Sequence, residues 1–180
     1  MSNFFKETDI DTSQAEAIVT ETLKNCDDGE LYLENHKSES IVLDDNKIKS
    51  STYNSDQGYG FRAVTGEVVA YSHSNDISKE SLRKSSDNLK DTLKSKKGTY
   101  NHEIPKTNSK YYENINPIES KTFDSKIDLL NSVNNYLRSK GSIVNQVTAN
   151  FLGEHKSIEI IRSDNQVLKD DRPLVRFNVS

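Results

Sequence analysis

The stretch from Glu30 to His73 limits the possible folds, because it consists of short alternating or continuous apolar segments separated by polar and turn residues. Leu31 and Leu33 alternate with polar neighbours, and Ile41–Leu43 forms a short apolar run. A period of two places alternate side chains on one face of a β-strand, whereas a helix requires a period of about 3.6. The pattern therefore predicts several short strands in this part of the chain.

Two tight turns predict how these strands are connected. Asp44–Asn46 follows the apolar run and consists of residues that tolerate left-handed backbone angles. The second turn, Thr65–Glu67, separates the predicted strands Gly58–Val64 and Val68–Tyr71, and this arrangement is typical of a β-hairpin. Turns of this length favour an antiparallel sheet and not βαβ units.

Three segments have the spacing of amphipathic helices. The first is capped by Thr12 or Ser13, the second spans Ile77 to about Lys96 with Asp76 as its cap, and the third spans Asp124 to about Ser139. Two serines interrupt the apolar face of the second helix, so we expect this helix to pack only shallowly against the rest of the domain. The predicted inward-facing residues are Ala15, Ile18, Val19, Thr22, Leu23 and Cys26 in the first helix, Leu82, Ser85, Ser86, Leu89 and Leu93 in the second, and Ile127, Leu130, Val133 and Leu137 in the third.

The remaining segments complete an α+β domain. Lys97–Thr122 is polar and predicts a long connection across the domain surface, with tyrosines as anchors (Tyr100, Tyr111 and Tyr112). Strands with period two return after Gly141: Ile143, Val147, Ala149 and Phe151 share one face, Ile158 and Ile160 repeat the pattern, and Val175, Phe177 and Val179 alternate in the last strand. We expect one domain over residues 1–180, in which a mostly antiparallel sheet of short strands packs with about three helices. The last strand reaches Ser180 without a turn or cap, which is typical of a truncated sequence.

Composition excludes several classes of function. The net charge is -4 and no basic stripe is present, so nucleic acid is not an expected partner. One cysteine excludes an internal disulfide framework, and the N-terminus does not resemble a signal peptide. No apolar stretch approaches the roughly 20 residues that span a bilayer, so the expected location is the cytoplasm.

The histidines do not form a recognisable metal site. His102-Glu103 begins like a zincin helix, but positions 106 and 107 are not histidine and Pro105 breaks the helix that this motif needs. His155 has Glu154 beside it, and neighbouring strand residues point to opposite faces. His36 and His73 have no second ligand at helical spacing. We therefore assign no residue of this chain to zinc, which needs three or four convergent ligands.

The remaining motifs have structural explanations. Gly58–Ala63 matches the loose dinucleotide pattern G-x-G-x-x-A, but a strand follows it where a helix is required, so close strand packing explains the glycines. Cys26 ends the apolar stripe of the first helix, and no histidine partner is evident. The acidic pairs are assigned to turns (Asp27-Asp28, Asp44-Asp45 and Asp170-Asp171). We assign no catalytic or cofactor-binding residue.

Two parts of the sequence resemble the TldD/PmbA (modulator of DNA gyrase) metallopeptidase family. Tyr53–Glu67 reads YNSDQGYGFRAVTGE and is similar to the TldD-branch pattern N-I-D-Q-G-x-G-x-R-A-x-S-G-E. Leu31–Leu33 and Val42–Lys49 look like the opening of such proteins, and Asp171–Ser180 (DRPLVRFNVS) resembles the close of their N-terminal domain. The resemblance covers nearly the whole chain and is weakest between Lys97 and Thr122.

The resemblance implies a zinc metalloprotease subunit that acts on short or unfolded peptides held in an extended conformation, paired with a PmbA-type subunit as a heterodimer. The family binds zinc through an H-E-x-x-x-H helix and a distant cysteine, and both would lie in a C-terminal domain that is absent here. The alternative is a stand-alone, non-catalytic module that binds a partner or a peptide. Arg62, Tyr59 and Arg176 are conceivable substrate contacts, but sheet packing and surface position explain them more simply.

Overall fold

The structure is a computed structural model that describes residues 4–6, 8–93, 98, 111–163 and 166–180. It contains three helices and one five-stranded antiparallel sheet in the order β3-β2-β1-β4-β5, which confirms the α+β prediction. The elements are α1 (Thr12–Leu23), β1 (Asp28–Asp44), β2 (Lys47–Thr65), β3 (Val68–Ser74), α2 (Lys79–Thr92), α3 (Phe123–Arg138), β4 (Thr148–Arg162) and β5 (Val167–Val179). None of the described helices combines the length and apolarity needed to cross a membrane.

The strands are longer than the sequence pattern indicates. Segments that were expected as separate short strands are halves of single strands of 17 and 19 residues, β1 and β2. The predicted turn at Asp45-Asn46 is confirmed, because both residues have positive φ angles of 48° and 67°. Gly66 has a φ of 57° in the turn that joins β2 to β3, so the predicted hairpin is also confirmed.

The described residues form two compact units that are interleaved along the chain. The first unit comprises residues 1–35, 56–111 and 157–170, and the second comprises residues 36–55, 112–156 and 171–180. Four of the five strands contribute residues to both units.

The first unit has the larger hydrophobic core, which α1, α2 and the sheet enclose. The predicted stripe of α1 is confirmed, since Ala15, Val19 and Leu23 are at most 1% exposed. Cys26 is also buried, and burial raises the pKa of its thiol, so the structural explanation of this cysteine agrees with its environment. The predicted stripe of α2 is buried from Leu82 to Leu93.

The second unit has a smaller core of five residues: Ile41, Leu43, Leu130, Ala149 and Phe151. The predicted inward stripe of α3 is wrong in part, because its buried residues are Lys126, Leu130 and Asn134. Lys126 and Asn134 are polar residues at buried positions of the helix, where apolar residues are usually found. Their burial is possible because Lys126 pairs with Glu39 and Asn134 donates a hydrogen bond to Asn46.

Several boundaries and positions differ from the predictions. Helix α1 is capped by Asp11 in a capping box with Gln14, and α2 is capped by Ser78, two residues after the predicted Asp76. Tyr111 and Tyr112 are 80% and 57% exposed and do not anchor the connection before α3. Ile143 is exposed and precedes β4. Ile161, and not the predicted Ile160, is in the core. Asp170-Asp171 lies within β5 and not in a turn. Residues 94–97, 99–110 and 164–165, with Tyr100 and His102-Glu103 among them, lie outside the described residues.

Candidate functional site

Four charged side chains form an ion network on one face of the sheet in the first unit. Arg62 of β2 donates from Nε to Oε1 of Glu30 at 2.7 Å and from Nη2 to Oδ2 of Asp28 at 2.6 Å. Arg162 of β4 donates to the other Asp28 oxygen, Oδ1, at 2.5 Å. Gly29 and Leu31 alternate with these acids along β1 and are buried in the first unit. Because neighbouring strand residues point to opposite faces, the network lies on the face of the sheet opposite the hydrophobic core of this unit.

The network favours the charged forms of Arg62 and Asp28. Hydrogen bonds to Glu30 and Asp28 raise the pKa of Arg62. Partial burial alone would raise the pKa of Asp28, but the hydrogen bonds and charges of Arg62 and Arg162 outweigh burial and lower it. A general acid or base works best with a pKa near the working pH. These pKa shifts therefore favour a role in joining β2, β1 and β4 over a role in proton transfer.

Tyr59 and Arg176, the two other conceivable substrate contacts, lie in contrasting environments. Tyr59 is 4% exposed, and its hydroxyl lies 2.8 Å from the hydroxyls of Ser81 and Ser85. Arg176 is an exposed residue of β5. Tyr59 is therefore part of the interior of the first unit, and Arg176 is a surface residue of the second.

The hydroxyl network around Ser85 explains why serines occupy the buried stripe of α2. Ser72 of β3 donates to Ser85 at 2.9 Å, and the hydroxyls of Ser86 and Thr22 of α1 lie 2.6 Å apart. Ser85 and Ser86 are each 4% exposed. The helix is buried at its serines, contrary to the predicted shallow packing, because each hydroxyl has a partner.

The glycines of the G-x-G motif allow close packing, as predicted. A Cβ on Gly58 would lie 2.8 Å from the carbonyl oxygen of Ser74, and one on Gly60 would lie 2.5 Å from the hydroxyl of Tyr71. Strand β2 continues through the motif and pairs with β3 from Tyr59 to Thr65. The helix N-terminus that a dinucleotide requires does not follow.

The described histidines do not fit a zinc site. His36 Nε2 is 3.7 Å from Glu154 Oε2, His155 is 8% exposed, and the ring of His73 stacks on Tyr71. Among the described residues, no group of three or more His, Cys, Asp or Glu side chains is placed to hold a metal ion. Zinc needs such a convergent set, and these residues do not supply one.

Lys126 and Glu39 form a buried ion pair in the second unit that the sequence pattern does not predict. Lys126 of α3 donates to Glu39 of β1 and, at 2.6 Å, to the carbonyl oxygen of Ile118. Its ammonium group also lies 5.7 Å from the ring centroid of Phe151. The side chains of Lys126 and Glu39 are 5% and 10% exposed. The sequence signal that could have revealed the pair is a lysine at i-4 from Leu130 on the inward face of the helix.

Two family models match this chain. Residues 29–94 match the PmbA/TldA metallopeptidase domain 1, and residues 116–180 match the PmbA/TldA metallopeptidase central domain. Relatives described as metalloprotease TldD homologues include one from Buchnera aphidicola subsp. Acyrthosiphon pisum, which is 34% identical over 87% of this chain and 33% of its own length. Another, from Haemophilus influenzae, is 32% identical over 87% of this chain and 33% of its own length.

Solved structures share the fold. A candidate modulator of DNA gyrase from Bacteroides thetaiotaomicron has a TM-score of 0.67 at 15% identity, covering 95% of this chain and 40% of its own. TldE from Thermococcus kodakarensis has a TM-score of 0.58 at 10% identity, covering 92% and 42%. This chain spans about a third of the length of the curated relatives it matches. On these matches, the chain belongs to the TldD/PmbA metallopeptidase family.

Proposed function

We propose that this chain is the N-terminal region of a TldD-type zinc metalloprotease subunit in the cytoplasm. In this proposal it shapes part of the substrate channel, pairs with a PmbA-type subunit, and serves proteolysis of short or unfolded peptides. The observation that carries the proposal is the match of two family models and of TldD homologues that are about three times as long. Zinc and the catalytic residues are assigned to another part of the complete subunit.

The first part of β2 supports a role in holding an extended peptide. Its residues Lys47–Ser55 are exposed, and β3 pairs with β2 from Tyr59 onward, so β1 is the described neighbour of this part. An extended peptide adds to such an edge through main-chain hydrogen bonds, which is suited to substrates of varied sequence.

The turn between β1 and β2 indicates which backbone groups are free for such pairing. In a two-residue hairpin the residues that flank the turn, Asp44 and Lys47, form a hydrogen-bonded pair, and the bonding alternates from there. The N–H group of Ile48, the first residue beyond this pair, therefore points away from β1. Ile48→Pro removes this donor and leaves the β1 ladder in place.

The peptide role is tested with the complete subunit that contains this region, paired with its PmbA-type partner. We expect Ile48→Pro to weaken binding of an unstructured peptide about tenfold, because one main-chain bond and the strand geometry are lost. Ile48→Val is the matched control, since it keeps the N–H and the β-branched shape. Equal peptide affinity in the two variants would contradict the proposed peptide contact.

Subunit pairing is tested separately by mixing the 180-residue chain with a purified PmbA-type subunit. Sedimentation velocity should show a 1:1 complex at concentrations of about 10 µM, a range typical of specific interfaces. The absence of a complex at about 100 µM would contradict the pairing role of this region.

A further inference from the structure

Helix α3 is attached to the second unit largely through polar side chains. The structure describes the whole helix, and its buried residues are Lys126, Leu130 and Asn134, so a single apolar residue is buried. The other apolar residues that periodicity predicts to face inward are partly exposed (Ile127, Val133 and Leu137). Burial of an apolar face supplies most of the stability of a helix in a protein. This contribution is therefore small for α3.

At its N-terminal end, α3 is attached through the buried pair of Lys126 and Glu39. The ammonium group of Lys126 also donates to the carbonyl oxygen of Ile118 at 2.6 Å. Desolvation of the two charges offsets most of their attraction, so the complete pair contributes little net stability. Both charges regain water when the helix leaves the sheet. The complete pair therefore adds little to the free energy that opening requires.

At its C-terminal end, α3 is attached to the turn between β1 and β2. Asn134 donates to Oδ1 of Asn46 at 2.5 Å, and Arg138 donates to Asp45. The side chains of Arg138 and Asp45 are 28% and 59% exposed, and an ion pair of this exposure contributes little. Water can replace these hydrogen bonds when the helix opens, so their net contribution is modest as well.

The sequence of α3 does not favour a helix that persists alone. Its interior contains residue types with low intrinsic helix propensity (Asn131, Ser132, Asn134 and Asn135). A helix of 16 residues is marginal in water even with favourable residues, so packing maintains most of its structure. We therefore expect α3 to unwind when it leaves the sheet, which frees its backbone N–H groups for exchange with water.

We propose that α3 is a detachable lid of the second unit. It leaves the sheet and unwinds as one cooperative segment while the strands remain paired, and it uncovers the apolar sheet surface of Ile41, Leu43, Ala149 and Phe151. Segments with few buried apolar contacts are the ones that open below the free energy of global unfolding. The inference concerns packing inside the second unit and does not depend on the proposed function.

The first experiment is hydrogen exchange of the 180-residue chain at neutral pH, followed by mass spectrometry of peptides that cover α3 and α1. Helix α1 is the reference, because Ala15, Val19 and Leu23 are at most 1% exposed. We expect α3 to exchange about a hundredfold faster than α1. Its rate should change little in urea below about 1 M, because local opening exposes little surface. Equal rates with the same urea dependence in both helices overturn the proposal.

Variants of the buried pair test what holds the lid closed. We expect Lys126→Met to accelerate exchange of α3 about a hundredfold, because Glu39 is unpaired in the closed state and hydrated in the open state. Exchange of α1 should stay unchanged. Lys126→Met combined with Glu39→Leu replaces the pair by apolar side chains, and it should return the α3 rate to that of the unmodified chain or below.

The control is Lys37→Met, which removes the lysine of the more exposed pair with Glu119 and should leave α3 exchange within about threefold. Circular dichroism establishes that each variant is folded, and the measurement on the unmodified chain stands without the variants. Equal acceleration of α1 and α3 in Lys126→Met overturns the proposal, because the opening is then global. A double variant as fast as the single one also overturns it, because the polar pair then does not determine opening.

Discussion

At the scale of single residues, the Lys126–Glu39 pair dominates the electrostatics of the second unit. Both side chains are almost fully buried, and the lysine also donates to the carbonyl oxygen of Ile118. Removal of both charges from water is unfavourable, so the net contribution of such a pair is small while it is complete. Loss of one partner is different, because it leaves an uncompensated charge in the interior.

We expect Lys126→Met to lower the free energy of unfolding by about 3 kcal/mol, because Glu39 is left buried without its cation. The double variant Lys126→Met with Glu39→Gln should recover most of this loss. Urea unfolding measures both values. Lys37→Met is the control, since Lys37 pairs with Glu119 at 2.6 Å with side chains 30% and 59% exposed, and should lose no more than about 1 kcal/mol. Equal losses for the two lysine variants would contradict the prediction.

Asp44 makes the stability of the second unit depend on pH in the acidic range. Hydrogen bonds from Gln146, Thr148 and Lys49 lower its pKa from 3.8 to about 2. Because the folded-state pKa is below the unfolded value, the stabilising contribution is present above about pH 4 and is lost as the pH falls through about 2.

Asp44→Asn removes this titration. We expect the unmodified chain to be more stable than the variant at about pH 5, and the difference to shrink at about pH 2. Chemical denaturation at both pH values checks this. A difference that is the same at both pH values would show that Asp44 does not titrate with the lowered pKa.

At the scale of elements, the start of α2 shows how local chemistry selects a boundary. Ser78 has an extended backbone and its hydroxyl accepts from the N–H of Ser81 at 3.2 Å, while Asp76 accepts from the Ser78 hydroxyl at 2.7 Å. Both residue types are good N-caps, so the sequence alone does not distinguish them.

We expect Ser78→Ala to lower the free energy of unfolding by about 1 kcal/mol, because a helix donor loses its partner. Asp76→Ala should have a smaller effect, because Asp76 orients the cap without capping the helix itself. Thermal unfolding followed by circular dichroism compares the two. A larger loss for Asp76→Ala than for Ser78→Ala would contradict this prediction and indicate that Asp76 caps the helix.

At the scale of the whole molecule, exposed apolar residues are unevenly distributed. Of fifteen large hydrophobic residues described as exposed, twelve belong to the second unit. The same unit has the smaller core of five residues. Contiguous exposed apolar surface is typical of regions that contact other protein surfaces, and the concentration of exposed apolar residues in the second unit agrees with the proposed role in a larger assembly.

We expect the purified 180-residue chain to bind no stoichiometric zinc, because the described residues do not supply three convergent ligands. Elemental analysis after dialysis against zinc-free buffer gives the metal content, and the complete TldD-type subunit is the positive control. One tightly bound zinc per chain, lost on replacement of His155 by alanine, would contradict this prediction.

Much of the architecture could be predicted because it depends on local rules. The period-two stretches, the Asp45-Asn46 and Gly66 turns and the buried stripe of α1 follow from side-chain alternation and backbone preference. The helix caps were displaced by one or two residues, since several adjacent residues can cap a helix equally well. For the site, the sequence explained the glycines of the G-x-G motif and assigned no catalytic residue.

Fold class, tight turns and family membership follow from the sequence alone, because alternation, turn chemistry and motif order depend on neighbouring residues. The tertiary structure alone decided which distant residues meet. Arg62 reaches Asp28 and Glu30, Lys126 reaches Glu39, and the hydroxyl of Tyr59 reaches α2. Each of these contacts joins positions far apart in the chain, and a buried polar residue is tolerated only where the fold supplies its partner.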